Sequence, residues 1–95
     1  MNGLDYIEFV KEHGCCILSC INADTDADHL KQIGMGRDRN RPELIEHYSC
    51  IPICRKHHIE RHQIGNIRFE EKYKINLWKE NRDLLVMWIK ENENV

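Results

Sequence analysis

The stretch Cys54-Arg55-Lys56-His57-His58-Ile59-Glu60-Arg61-His62 carries the densest chemical signal in this chain. Side chains four residues apart share one face of a helix, so a helix here would bring His58 and His62 to one metal ion. His57 lies about 100° around the helix from His58, toward the side on which Cys54 lies. One helix can therefore serve two ligand pairs, and the stretch predicts metal binding.

Local patterns predict the elements around this stretch. The helix itself is predicted to run from residue 53 or 54 to residue 64, with Pro52 at its start and Gly65 after its end. The other predicted segments are a helix over residues 4–13, a strand or knuckle over 15–21, a turn over 22–28, an irregular loop over 34–42, one or two helical turns over 66–74, and an amphipathic C-terminal helix over 76–92. The predicted aromatic core is Phe69, Tyr73, Trp78 and Trp88.

Length and composition limit the classes of protein that fit. The 95 residues suit one domain, which excludes a two-domain oxidoreductase or an NTP-driven motor. No apolar run reaches the roughly 18–20 residues that a membrane helix needs, and the first residues lack the order of a secretory signal. We therefore expect a cytoplasmic protein without a membrane partner, in which the five cysteines are metal ligands or core residues.

Charge is unevenly distributed along the chain. The formal net charge is −2, which argues against nucleic acid as a partner. Residues 29–62, however, carry seven basic and four acidic side chains, and they hold five of the six histidines. Any catalytic or metal-binding residues are therefore expected in the middle third of the chain.

The pair Asp28-His29 is the second chemical signal. It places a carboxylate that can bind a metal beside an imidazole that titrates near neutral pH. At the end of a strand the two side chains point to opposite faces, so one can hold a metal while the other reaches a substrate.

Together with the stretches Ile33-Gly34-Met35-Gly36-Arg37 and Ile51-Pro52-Ile53, these pieces resemble the HNH endonuclease family, the ββα-metal nucleases, and especially small HNH proteins of phages and prophages. The resemblance covers about residues 15–75. It implies an α+β fold with a ββα-metal core, a small β-hairpin plus a metal-bearing helix, flanked by N-terminal and C-terminal helices in a single domain over residues 1–95.

The resemblance also implies a role for each matching residue. Asp28 matches the first metal ligand, and His29 matches the general base that takes a proton from the attacking water. His58 and His62 match the metal ligands on the helix. The family hydrolyses DNA phosphodiester bonds around one divalent ion, so Mg²⁺, Mn²⁺ or Zn²⁺ is expected at this site. Arg37, Arg39 and Arg41, on the loop before the helix, are predicted to contact DNA phosphates; the alternative is a solvated charged loop.

The chain departs from the family pattern at the middle residue of the motif. No asparagine occurs between Arg41 and Gly65, and His47 or Ser49 can supply a hydrogen bond in its place. Many relatives also hold a structural zinc, for which the matching residues are Cys16 (or Cys15), Cys20, Cys54 and His57. The alternative is that these cysteines are small buried hydrophobes, as expected for Cys50.

The leading hypothesis is therefore a metal-dependent DNA endonuclease or nickase that works with phage or prophage recombination or replication proteins. The alternative is a non-catalytic, zinc-stabilised nucleic-acid-binding module of the same fold. A third reading is an interaction domain whose C-terminal helix docks a partner or forms a homodimer through Trp78 and Trp88.

Overall fold

A two-stranded antiparallel sheet and the helix that follows it form the centre of the chain. The computed structural model describes residues 2–93. The elements are α1 (Gly3–Lys11), β1 (Thr25–His29), a 3₁₀ helix (Ile45–Ser49), β2 (Cys50–Cys54), α2 (Arg55–Ile64), α3 (Asn66–Tyr73) and α4 (Leu77–Asn92). This arrangement confirms the predicted α+β class, with a strand–loop–strand–helix core between N-terminal and C-terminal helices.

The strands pair from Thr25 opposite Cys54 to His29 opposite Cys50. The predicted turn over residues 22–28 is wrong from Thr25 onward, because Thr25–His29 form β1. The expectation that Asp28 and His29 lie at the end of a strand agrees with β1. Aspartate is rare in strands, so the local sequence does not show that the strand begins at Thr25. Pro52 lies inside β2 and not at the helix start. A two-stranded sheet leaves one edge of each strand unpaired, so the missing N–H of a proline can be tolerated there.

The helix α2 has almost no apolar face. Its apolar residues are Ile59 and Ile64, and Ile59 is 48% exposed. The residues that α2 buries are instead His57 and Arg61. Polar contacts to the sheet must therefore hold this helix in place, because hydrophobic burial contributes little.

The remaining elements pack as two apolar clusters on either side of the fully buried strand β2. One cluster contains Tyr6, Val10, Cys50, Leu84 and Trp88. The other contains Ile17, Ile51, Ile53, Phe69 and Leu77. Burial of Cys50, Phe69 and Trp88 was predicted correctly, and Tyr73 packs against the second cluster. The prediction for Trp78 was wrong, since it is 51% exposed on the outer face of α4.

The predicted boundaries of the outer helices hold with small shifts. The side chain of Asn76 caps α4 by accepting from the Lys79 N–H, which agrees with the predicted start of that helix. Asn2 and Asp5 form a reciprocal capping box at the start of α1, and α1 ends at Lys11, two residues earlier than predicted. Among residues 2–93, no helix is both long and apolar enough to cross a membrane.

The first turn of α1 lies directly against the side chain of His47. A Cβ added at Gly3 would lie 2.7 Å from Cβ and 2.9 Å from Cδ2 of His47. The absence of a side chain at Gly3 is what allows this close approach.

We predict that Gly3→Ala lowers the free energy of unfolding by about 1–3 kcal/mol, because the added methyl overpacks the contact with His47. Urea denaturation measures this change. The matched control is Gly34→Ala, whose Cβ would meet only Cδ of Arg37 at 3.9 Å. The control should change stability by no more than about 0.5 kcal/mol. Equal effects of the two substitutions would contradict the close packing at Gly3.

Candidate metal centres

Three predicted ligands converge at the junction of β1 and α2. Nε2 of His58 lies 3.3 Å from Oδ1 of Asp28 and 3.1 Å from Nε2 of His62. The Asp28 oxygen and the His62 nitrogen are 3.7 Å apart. Ligand atoms bound at about 2.0–2.2 Å to one ion lie roughly 3.0–3.5 Å from one another, so this set fits a divalent metal on one open face.

Asp26 orients His58. Its Oδ2 lies 2.9 Å from Nδ1 of His58, so Nδ1 carries the proton that is donated to the carboxylate. Nε2 of His58 is thereby left with a free lone pair that faces Asp28, as in a carboxylate–histidine–metal arrangement. Asp26 is absent from the residues predicted for this site. The signal was its spacing of two residues from Asp28, which places both side chains on one face of β1.

Arg61 holds the carboxylate of Asp28 from the other side. Nε and Nη2 of Arg61 donate to Oδ2 and Oδ1 of Asp28 at 2.5 and 2.7 Å, and both residues are nearly inaccessible, at 5% and 3% exposure. Nη1 of Arg61 donates to the Asn66 side chain, and Nη2 lies 3.2 Å from Nε2 of His62. A carboxylate has about four acceptor sites, so Asp28 can accept Arg61 and still bind a metal. Arg61 is also absent from the predicted site residues, although its i+3 spacing from His58 places it on the same helix face.

A cavity of about 230 Å³ opens beside these ligands. Its lining residues are Ala27, Asp28, His29, Gln32, Ile33, Arg39, His58 and His62. His29 therefore faces the same space as the metal ligands. Burial lowers the pKa of His29 below its usual value, and the nearby His47 and Arg39 lower it further.

The three loop arginines differ in their surroundings. Arg37 donates to Oε2 of Glu46 at 2.6 Å, and Arg41 pairs with Glu43 at 2.5 Å. Arg39 is the one that lines the cavity. The predicted phosphate contacts of all three stay predictions, and Arg39 is the best placed.

His47 and Ser49 both make the kind of contact expected of the motif's middle residue. Nδ1 of His47 lies 3.0 Å from Nε2 of His29. Oγ of Ser49 donates to the Glu46 carbonyl at 2.7 Å and accepts from the Lys31 N–H at 2.9 Å. His47 thus contacts the candidate base, and Ser49 fixes the chain just after β1.

A second cluster meets α2 at His57, on a different side from His58 and His62, and contains Cys15, Cys20, Cys54 and His57. The Sγ atoms of Cys20 and Cys54 are 3.9 Å apart, and Nδ1 of His57 lies 3.1 Å from Cys54 and 3.6 Å from Cys15. A tetrahedral zinc with bonds of about 2.0–2.3 Å requires edges of roughly 3.6–3.8 Å, so this set also fits a metal.

The structure places Cys15, and not Cys16, in this second cluster. Cys16 lies instead beside a different cavity, formed with Pro52, Leu84 and other residues. Burial raises the pKa of the Cys15 thiol to about 11 and that of Cys16 to about 12. Metal binding by Cys15 would therefore release a proton.

A sheet and a helix that join around one aspartate and two histidines define a ββα-metal domain. Consistent with this, the family model described as "Putative HNHc nuclease" matches residues 2–92. The chain belongs to this HNH nuclease family. No curated protein and no solved structure matches it.

We predict that Arg61→Met lowers the free energy of unfolding by about 3–5 kcal/mol, because it leaves the buried Asp28 carboxylate without its partner. Urea denaturation without added divalent metal measures the loss. The control is Arg68→Met at an exposed position of α3, which should change stability by less than about 0.5 kcal/mol. A loss below about 1 kcal/mol for Arg61→Met would contradict this view of the ion pair.

Proposed function

We propose that this protein is a metal-dependent endonuclease that hydrolyses phosphodiester bonds in DNA. The observation that carries the proposal is the convergence of Asp28, His58 and His62 on one point, with His29 lining the same cavity. Membership of an HNH nuclease family supports hydrolysis of nucleic acid as the reaction.

His29 is the group that would take a proton from the attacking water. A base must be unprotonated, and the lowered pKa of His29 keeps its ring neutral at pH 7. The loss of activity on acidification is accordingly expected below about pH 6.5, the usual value for histidine. A divalent ion held by Asp28, His58 and His62 would neutralise the charge that develops on the phosphate oxygens. Imidazole ligands suit Zn²⁺ better than Mg²⁺, whereas the carboxylate of Asp28 suits Mg²⁺ and Mn²⁺.

Arg39 would bind the phosphate backbone next to the reacting bond. It lines the cavity beside His29. Within residues 2–93, its guanidinium group makes no side-chain hydrogen bond or ion pair. To bind phosphates, Arg37 would have to give up its ion pair with Glu46, and Arg41 its ion pair with Glu43. DNA affinity that falls steeply with salt follows from contacts of this kind.

We further propose that the second cluster holds a structural zinc. Three thiols and one imidazole, with their ligand atoms all within 4.8 Å of one another, are a ligand set that zinc prefers and that leaves no open position for chemistry. The cluster joins the knuckle around Cys15 and Cys20 to the start of α2. In a chain of this size, such a cross-link would supply stability that a modest core does not.

The zinc proposal predicts that the purified protein contains one tightly held zinc, and that Cys20→Ser loses it and unfolds at a lower temperature. Metal content by plasma emission spectroscopy and thermal unfolding measure both effects. Cys16→Ser is the matched control, because Cys16 lies outside the cluster, and it should retain the zinc. Equal zinc content in Cys20→Ser and in the wild type would refute the ligand set.

The nuclease proposal predicts that the wild type nicks or cuts supercoiled plasmid with Mn²⁺ or Mg²⁺ and not with EDTA. His29→Ala should lower the rate by about 10²–10⁴-fold, the usual contribution of a general base, while metal and DNA binding persist. Lys90→Ala, at an exposed position near the end of α4, is the control and should cleave as the wild type does.

A folded protein that binds DNA but cleaves no form of it would favour the alternative, a zinc-stabilised binding module. The observation that favours this alternative is the absence of the motif asparagine between Arg41 and Gly65. The expected partners, phage recombination or replication proteins and a second copy of the chain, stay predictions.

A further inference from the structure

We propose that His47 is a positioning residue that fixes the tautomer of His29, so that Nδ1 of His29 is the nitrogen that accepts the proton. The consequence for catalysis rests on the proposed nuclease function. The hydrogen bond and the tautomer themselves can be tested without catalysis.

The assignment follows from a chain of three groups. Nε2 of His47 lies 2.9 Å from the carbonyl oxygen of Arg41. A carbonyl oxygen can only accept, so this nitrogen carries a proton. In the neutral ring Nδ1 of His47 then has a lone pair, and the atom facing it at 3.0 Å is Nε2 of His29. Nε2 of His29 must therefore donate, which leaves the lone pair of His29 on Nδ1.

His47 is held so that it cannot easily give up either contact. Its side chain is fully buried, on the 3₁₀ helix, and α1 closes over it at Gly3. The Gly3 N–H also donates to the carbonyl of Pro42 at 3.3 Å, next to the Arg41 carbonyl that His47 binds. Rotating the ring by half a turn would break both hydrogen bonds inside a buried site and leave buried polar groups without partners, which is unfavourable.

The tautomer matters because a general base needs its lone pair, and not an N–H, directed at the water. His29 lines the cavity that contains the metal ligands, and its Nε2 is occupied by His47. The opposite tautomer would place a proton on the remaining nitrogen and prevent it from accepting another. In the Ser-His-Asp triad, a substitution that gives the catalytic histidine the wrong tautomer lowers kcat by about 10⁴-fold.

Nuclear magnetic resonance on protein labelled with ¹⁵N histidine tests the hydrogen bond in the wild-type chain. At a pH where both rings are neutral, we expect a coupling across the hydrogen bond between Nε2 of His29 and Nδ1 of His47. Both rings should be protonated at Nε2. A His29 ring protonated at Nδ1, or no coupling between the two rings, would overturn the proposal whether or not the protein is a nuclease.

Two near-isosteric variants separate the two contacts of His47 in a cleavage assay. In His47→Asn the amide oxygen can take the place of Nδ1 and still accept from His29. In His47→Gln the amide nitrogen can take the place of Nε2 and still donate to the Arg41 carbonyl. We expect His47→Asn to keep kcat within about tenfold of the wild type, and His47→Gln to lose on the order of 10²-fold in kcat with KM and metal affinity unchanged.

Equal kcat values for the two variants would overturn the catalytic part of the proposal. An inactive wild type that still shows the coupling would refute the nuclease function and leave the tautomer assignment standing. The resonance experiment uses the unaltered chain, so it decides the structural part even if a variant fails to fold.

Discussion

The ion pair between Asp28 and Arg61 joins the helix that carries the ligands to the sheet. The helix α2 has too few apolar residues to be fixed by hydrophobic burial, and its most buried long side chain is Arg61 itself. A buried ion pair adds little net stability, but its two parallel hydrogen bonds are demanding in direction. Here they set the rotation of α2 about its axis relative to β1. That rotation decides which side chains of the helix face Asp28.

Three of the four groups at the candidate site are each held by a second residue. Arg61 holds Asp28, Asp26 holds His58, and His47 holds His29. Asp28 keeps lone pairs beyond those that accept from Arg61, and Asp28, His29 and His58 all line the cavity. Such support keeps a ligand set in place before the ion arrives and reduces the cost of ordering it. The site is thus prepared by polar contacts that belong to the fold.

Sequence patterns predicted what depends on local spacing and missed what depends on pairing between distant segments. The i, i+4 relation of His58 and His62 and the apolar periodicity of α4 needed no knowledge of the rest of the chain. Cys15 and Cys16 are neighbours with equally suitable spacing, and the path of an irregular knuckle decides between them. His47 and His29 are separated by a long loop, so no local sequence pattern indicates their contact. The same holds for Arg61, whose partner depends on how α2 is oriented against β1.

The helix α2 contributes candidate ligands to both clusters: His57, next to Cys54 at the end of β2, belongs to one, and His58 and His62 belong to the other. Both clusters therefore include residues of the same helix, which is only ten residues long. If an ion at one cluster ordered this helix, less conformational entropy would remain to be lost when an ion bound at the other. By thermodynamic linkage, any effect that an ion bound at one cluster had on affinity at the other would be reciprocal and equal in size.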